Sequence, residues 1–302
     1  MGAAEGSAEQ PKPNAKEANQ LISAWTRQDW REVLTSPNLC VLQALVNGAA
    51  TASGAGDTRE DALECCLGET AEIQAHIALR ETGQPPILTG QSGVAAHPDP
   101  IVAQRLAIFE AHERAAVWAW WLGQMGARPV SSDWLSRMGI WEWLKKLRLG
   151  AVQRRQTGVW LLDCPGVVFV AVSRAQGGTG QDPILGFGAD TDPERAVRKA
   201  LRETLLMELN LGEVLASRSG HSDQDTRAIE DKIAAYTHRC PALLGAEAEI
   251  EPASAQAITI EALSKGVTLR DITPAGQLRR VWCCTVQGIE NAGLQGQDSP
   301  FM

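Results

Sequence analysis

Carboxylates at repeated spacings are the residues here most able to do chemistry. Glu69 and Glu72 stand three residues apart with Cys65 before them, and Glu110 and Glu113 repeat that spacing with Arg114 immediately after. On a helix, residues three and four apart are neighbours, so each acid pair shares one face, Cys65 lies one turn before Glu69, and Arg114 lies one turn beyond Glu110. Paired hard oxygens suit Mg2+, which takes a few carboxylates and keeps water and phosphate oxygens as its other ligands, while arginine offers bidentate contact with phosphate. Taken alone, such acids could equally be solvated helix charges making intrahelical pairs. Their surroundings weaken that reading. Leu67 and Gly68 precede Glu69, Ile108 and Phe109 precede Glu110, and Ala115 to Trp121 follows Arg114 without a charge. Acids among apolar residues are costly unless paired or metal-bound.

The elements that must carry these residues repeat. One helix is predicted from Thr58 to Arg80, with Asp57 or Thr58 as N-cap. A second begins at Asp99, with Pro100 in the first helical position, and runs to Leu122; a third begins at Asp192, followed by Pro193, and runs to Leu215. Each contains an alanine, six intervening residues and a glutamate: Ala62 to Glu69, Ala103 to Glu110, Ala196 to Glu203. That interval is close to two helical turns, so a small residue permitting close packing shares a stripe with an acid.

Around the helices, Asn38 to Val46 is β-compatible, and the Gly- and Ala-rich stretch Gly48 to Gly56 leads into the first helix. Ser132 to Leu149 reads as a Trp-rich helical region, and Val159–Cys164 and Val167–Ser173 as strands joined by a Pro165-Gly166 turn. Beyond Ser217 come a polar helix at Asp223–His238, a shorter one near Ala255–Ser264 and a strand at Leu278–Val286. Helices alternating with strands predict an α/β or α+β fold, mixed sheets packed with helices. Met1 to Lys16 has almost no large apolar residue and reads as a flexible tail ending by residue 18. A single domain over 19–302 follows, its C-terminal part, 217–302, being variable.

Composition removes several function classes. The net charge of −8 argues against a general nucleic-acid binder, and the runs Lys145-Lys146-Leu147-Arg148 and Arg154-Arg155 read as solvated faces. No window approaches the roughly 18 apolar residues of a membrane span, and the N-terminus lacks a signal-peptide core, so a soluble, cytoplasmic protein is expected. Cys65-Cys66 and Cys283-Cys284 are adjacent pairs rather than C-x-x-C, which suggests reduced thiols instead of zinc or disulfides. The histidines show no metal-ligand spacing, and no Ser/His/Asp or Cys/His arrangement stands out. Trp118, Trp120, Trp121, Trp134, Trp141 and Trp143 are expected mostly in the core or at an interface, with a minority open to a peptide groove.

Taken together, Cys65-x-x-x-Glu69-x-x-Glu72, Glu110-x-x-Glu113-Arg114 and the third helix with Glu203 resemble the YcaO family. Its members build an ATP site from S-x-x-x-E-x-x-E, E-x-x-E-R and E-x-x-Q motifs. The resemblance covers Val46 to Met207, three motifs in order. It implies a YcaO-like fold whose ATP site is formed by the three glutamate-bearing helices. It also implies that Glu69, Glu72, Glu110 and Glu113 hold Mg2+ and the nucleotide phosphates, that Arg114 contacts phosphate, and that Cys65 and Glu203 belong to the ATP pocket. Two departures stand out. Cys65 replaces the serine of the first motif, and Leu206 stands where the third has glutamine.

In the family, ATP phosphorylates a peptide-amide oxygen after a nucleophile has attacked the carbonyl. For cyclodehydratases that nucleophile is a Cys, Ser or Thr of the substrate, so no catalytic nucleophile of this chain is assigned. The resemblance thus implies azoline formation in a ribosomally made precursor peptide, with a separate leader-peptide-binding or partner protein and a homodimer or hetero-complex as possible assemblies. A degenerate scaffold subunit and a thioamide-forming enzyme are the alternatives. Many family members end in a proline-rich tail reaching the active site. Here Gln297 to Met302 contains one proline, Pro300, and is either an unstructured end or a degenerate form of that tail.

Overall fold

Helix starts follow the caps written in the sequence. In the computed structural model, Thr58 caps the helix Arg59–Glu81 through a reciprocal capping box with Asp61, and Asp99 caps Pro100–Trp121 with the proline in its first turn. The structure describes residues 15–48, 50–84, 87, 92–164, 168–175, 183–216, 223–244, 248–252, 259–286 and 299–301.

In chain order the first half comprises α1 (Ala15–Ile22), β1 (Trp25–Arg31), β2 (Cys40–Val46), β3 (Ala50–Gly56), α2 (Arg59–Glu81), β4 (Ser92–His97) and α3 (Pro100–Trp121). Then follow β5 (Ala127–Pro129), α4 (Ser132–Arg137), α5 (Ile140–Leu147), β6 (Arg155–Leu162), β7 (Val168–Ala175), β8 (Ile184–Ala189) and α6 (Pro193–Ala216). The remainder holds α7 (Asp223–Leu243), α8 (Ile260–Leu263), β9 (Val267–Asp271) and β10 (Arg280–Val286). All named strands pair antiparallel, in three sheets ordered β1-β2-β3, β4-β10-β9 and β5-β6-β7-β8.

Strand alternation sends successive residues to opposite faces, and each sheet uses both. In the second sheet Val94, Ala96, Val281 and Cys283 face α2 with Leu67 and Ala71, whereas Ala95 and Cys284 face α3. In the third sheet Val168, Val170 and Val172 face α3, while Phe169 and Ala171 face α6 with Ala196, Val197, Ala200 and Leu201. The first sheet gives Leu42, Ala44 and Ala52 to α2 and turns Val41 and Ala55 toward the α6 cluster. Helices α2, α3 and α6 therefore each lie between two sheets, and the three sheets alternate with these three helices. Trp120 and Trp121 of α3 are fully buried. Burying an aromatic of this size removes roughly 150–250 Å² from water, an upper bound of roughly 4–6 kcal/mol each.

Several boundaries differ from the sequence reading. The stretch expected as a lead-in, Gly48 to Gly56, contains strand β3, since Gly54 and Gly56 let it lie against α2: a Cβ on Gly54 would stand 2.0 Å from the Ala62 carbonyl oxygen. The Ser132–Leu149 region is two helices, broken at Gly139 with φ 66°. The strand expected at Val159–Cys164 begins earlier, at Arg155, and the polar helix from Asp223 continues to Leu243. The end of the expected tail, residues 15–18, already belongs to α1, whose buried Glu17 accepts from Arg279 Nε at 2.6 Å. The Pro165-Gly166 turn and most of 255–264 before Ile260 lie outside the described residues. Among the described residues no helix is long and apolar enough to cross a membrane.

Candidate functional site

The same contact is built three times. Ser53 N donates to Glu69 Oε2 at 2.5 Å, Val94 N to Glu110 Oε2 at 2.9 Å, and Phe187 N to Glu203 Oε2 at 2.7 Å, with donor and acceptor 16 residues apart in each pair. The donors sit on β3, β4 and β8, the acids on the helices that follow them. Each acid is thus fixed by its own strand, and Glu110 by the Arg114 side chain as well. The helices can approach that closely because glycines face small helix residues: a Cβ on Gly188 would stand 2.2 Å from the Ala196 carbonyl, on Gly93 2.1 Å from that of Ala107, and on Gly186 2.3 Å from that of Ala200.

The second acids of α2 and α3 extend the cluster. Glu72 accepts from Ala96 N at 3.0 Å, in the neighbouring sheet. Glu113, 6% exposed, accepts from Lys199 Nζ of α6 at 2.9 Å. Arg114 folds back on its own helix, donating from Nε at 3.0 Å and Nη2 at 2.6 Å to Glu110 Oε1. Cys65 is exposed one turn before Glu69 and within electrostatic reach of it and of Arg202.

Crowded acids are expensive to ionise here. Burial pushes Glu69 up to about 7; the Ser53 N–H opposes the rise and the Glu110 charge adds to it. Glu72 is held well above its ordinary range by burial and then by Glu110 and Glu69. Glu203 is pushed up to about 8 by burial and by Glu113, against the Phe187 N–H, Lys199 and Arg114. For Lys199 and Arg114 dehydration opposes the charged form, but the surrounding glutamates outweigh it and raise both. The acids outnumber the two cations, so the cleft is electrostatically incomplete without further positive charge.

The chain's end reaches this cleft. The Arg114 guanidinium lies 4.9 Å from the centre of the Phe301 ring, which also meets Phe187 and Trp118 edge-on at 5.4 and 6.1 Å. Lys232 Nζ donates to the carbonyls of Ser299 and Phe301 at 2.5 and 2.7 Å, and the Tyr236 hydroxyl to that of Pro300 at 2.5 Å. Of the two possibilities for the terminus, the described residues 299–301 are packed beside Arg114.

Residues 75–282 match the family model described as YcaO cyclodehydratase, ATP- and Mg2+-binding. The chain belongs to the YcaO family. The match begins after Glu72 and so does not reach the first acid pair. Solved structures share the fold. A heterocyclase in complex with substrate and cofactor aligns with TM-score 0.62 at 14% identity, covering 91% of this chain. This chain spans 52% of that heterocyclase's length. The YcaO of Methanopyrus kandleri bound with AMPPCP and Mg2+ aligns with TM-score 0.58 at 16% identity, covering 90% of this chain and 87% of its own. A chain of the E. coli microcin synthetase McbBCD complex with pro-MccB17 bound aligns with TM-score 0.61 at 14% identity, covering 88% of each. No curated protein matches the sequence.

The donor set fits what the family description names. Among the described residues no three His, Cys, Asp or Glu side chains form a group that could hold a metal ion. Mg2+ nonetheless asks for only one or two protein carboxylates when phosphate oxygens and water complete its octahedron. Glu69 and Glu72, both raised by burial and by the neighbouring Glu110, would supply such carboxylates.

The structure thus gathers Glu69, Glu72, Glu110, Glu113, Arg114 and Glu203 into one cluster, with exposed Cys65 one turn before Glu69. Leu206 falls elsewhere: it packs against the apolar cluster of Val33, Leu39, Trp134 and Leu205. The polar residue that α6 adds is Lys199, one turn before Glu203, a position the helical stripe could have revealed. The backbone donors of Ser53, Val94, Ala96 and Phe187 leave no side-chain signal. Trp118, Trp120, Trp121 and Trp134 are buried, and Trp141 and Trp143 are partly so.

Proposed function

We propose that this chain uses ATP and Mg2+ to modify the backbone of a ribosomally made precursor peptide, by cyclodehydration of Cys, Ser or Thr to an azoline. The observation that carries this reading is the acid cluster itself, three glutamates clamped on strand amides and facing too few cations, in a YcaO chain. Glu69, Glu72, Glu110 and Glu113 are the carboxylates available to Mg2+, Arg114 is the phosphate contact, and Glu203 and Cys65 complete the nucleotide pocket. ATP supplies the phosphoryl group that turns the amide oxygen, after attack by the substrate's own thiol or hydroxyl on the carbonyl carbon, into a phosphate leaving group. The chain's contribution is positioning and charge: the backbone clamps fix the acids before substrate arrives, so little reorganisation is needed at the reacting centre.

Ser299 to Phe301, seated against Arg114, form one wall of this pocket, a reading of the tail consistent with Lys232 and Tyr236 holding its carbonyls. A presenting partner protein is part of the proposal, as is a soluble, cytoplasmic setting. The test is to mix the chain with a candidate precursor peptide, its partner, ATP and Mg2+, and weigh the product. Loss of one water per modified residue is expected. Unchanged peptide together with no nucleotide binding would reject the enzymatic reading.

The second reading, a YcaO scaffold that has lost catalysis, is favoured by Leu206, which gives α6 no second polar group after Glu203. ATP hydrolysis stimulated by precursor peptide would exclude it. Incorporation of sulfur, with a corresponding mass gain, would point instead to thioamide formation.

A further inference from the structure

The two basic runs of this acidic chain, Lys145 to Arg148 and Arg154-Arg155, read from the sequence as solvated faces, but the structure brings members of both together. Lys145 and Arg148, at the end of α5, and Arg155, at the start of β6, line one pocket of about 270 Å3 with Trp141, Leu144 and Thr157. Arg148 Nη2 donates to Glu208 Oε1 at 2.8 Å and to Thr157 Oγ1 at 3.0 Å, while its Nε and Nη1 are shielded from water and have no acceptor. Arg155 Nε donates to Ser173 Oγ at 2.7 Å and lies 3.4 Å from the same Glu208 oxygen. Glu142 stands 3.8 Å from Lys145 Nζ in a pair open to solvent, where the attraction is weak. Three bases thus meet two acids, leaving one positive charge in surplus. Buried guanidinium donors without acceptors are costly, and an incoming carboxylate supplies acceptors and charge together.

Size and surroundings narrow the ligand. Pockets for whole small molecules run from roughly 300 to 1,000 Å3, so this one suits a single side chain. Arg148 and Arg155 also bound the loop 149–154, which carries Leu149 and Val152, 71% and 79% exposed. Val152 N donates to the Leu34 carbonyl at 3.0 Å, which brings exposed Leu34 to the same loop. A free anion gains nothing from such apolar surface, whereas a peptide can cover it. We propose that this pocket binds an acidic side chain, Asp or Glu, of a peptide segment whose neighbouring residues are apolar. The carboxylate meets Arg148 and Lys145 beside the Trp141 indole, and the apolar neighbours lie on Leu149 and Val152. The inner side of the arginine group, at Glu208 and Ser173, ties helix to sheet; the outer side takes the ligand. None of these residues belongs to the proposed ATP and Mg2+ site, so the two stand or fall separately.

The test is fluorine NMR of the full chain carrying fluorotryptophan, with the Trp141 signal assigned by Trp141→Phe. The titrants are acetyl-Leu-Glu-Leu-amide, its Gln counterpart and free glutarate, without nucleotide or Mg2+. The Glu peptide is expected to shift the Trp141 signal saturably, and the Gln peptide to bind about 10- to 100-fold more weakly, the worth of a hydrogen bond to a charged group. Arg148→Met should abolish the shift. Lys145→Glu, at an exposed position, should weaken it and keeps the proposal falsifiable where Arg148→Met does not fold. No Trp141 shift with the Glu peptide, equal binding of the Gln peptide, or unchanged binding by Lys145→Glu or folded Arg148→Met would each overturn the proposal. Glutarate saturating the signal at the same concentration as the Glu peptide would overturn it in favour of a free carboxylate.

Discussion

Glu203 and Glu208 sit on the same helix, α6, yet their surroundings are opposites. Glu208 is enclosed by Arg148 Nη2 at 2.8 Å, Arg155 Nε at 3.4 Å and a short contact from the Ser173 hydroxyl, and Arg155 also binds the Ser173 carbonyl at 3.1 Å. There cations outnumber the acid, and the group ties α6 to β6, β7 and the end of α5. Glu203 belongs to a wider cluster in which Glu69, Glu72, Glu110, Glu113 and Glu203 face only Lys199 and Arg114, and backbone amides clamp all of these acids but Glu113. A buried acid matched by guanidiniums serves the fold, whereas an acid cluster left short of positive charge is prepared for a ligand.

This contrast can be broken from either side. The largest effect is expected at the closed cluster: Glu208→Ala leaves two buried guanidiniums uncompensated and should cost about 3–5 kcal/mol of stability by denaturant unfolding. Nucleotide binding by the remaining folded protein should not change. The converse pattern is expected at the cleft, where Glu110→Gln should weaken metal–nucleotide binding by about 10- to 100-fold in calorimetry while leaving the fold intact.

Next in size is the strand–helix approach. Gly186→Ala places a Cβ 2.3 Å from the Ala200 carbonyl and should cost about 1–3 kcal/mol or more. Gly68→Ala, whose Cβ would meet Ala96 O at an ordinary 3.7 Å, should be neutral or gain about 0.5–1 kcal/mol because it removes a glycine from helix α2. If both substitutions behaved alike, close approach would not be what fixes the clamps.

The pH dependence sharpens the contrast further. Glu69 and Glu203 titrate at about 7 and about 8 in the folded chain, above the ordinary glutamate value near 4.3, so the folded state holds more protons than the unfolded one in between. Their contribution to stability is full below that ordinary value and is lost as pH rises through about 7 to 8. The thermal midpoint of the metal-free protein should therefore fall across this window. Mg2+ with AMPPCP should flatten the fall.

The smallest effect is expected at the terminus. Phe301→Leu removes the ring under Arg114 and should cost about 0.5–2 kcal/mol, read as a modest drop in thermal midpoint.

The helices were legible because their signals are local: Thr58, Asp99 and Pro100 mark starts, and the alanine-to-glutamate interval places the acids on one stripe. Strand β3 was not, because Ala50–Gly56 is built from Ala, Thr, Ser and Gly with little β propensity, and its place is fixed by contact with α2. The pairing of β4 with β10 joins residues far apart in the chain and has no local signature. At the site, side-chain spacing identified the acids, but the amides that clamp them carry no residue type. Leu206 drew attention from motif spacing alone, whereas the helix rotation shows Lys199 to be the residue that faces the cleft.

The central claim is that the open acid cluster, unlike the closed one, exists to take a metal-bound nucleotide. It is tested most directly by titrating AMPPCP, with and without Mg2+, into the wild type, Glu72→Gln and Glu208→Gln. Mg2+-dependent binding is expected of the wild type and of folded Glu208→Gln, and loss of that binding of Glu72→Gln. Equal binding by Glu72→Gln, or none by the wild type, would contradict it.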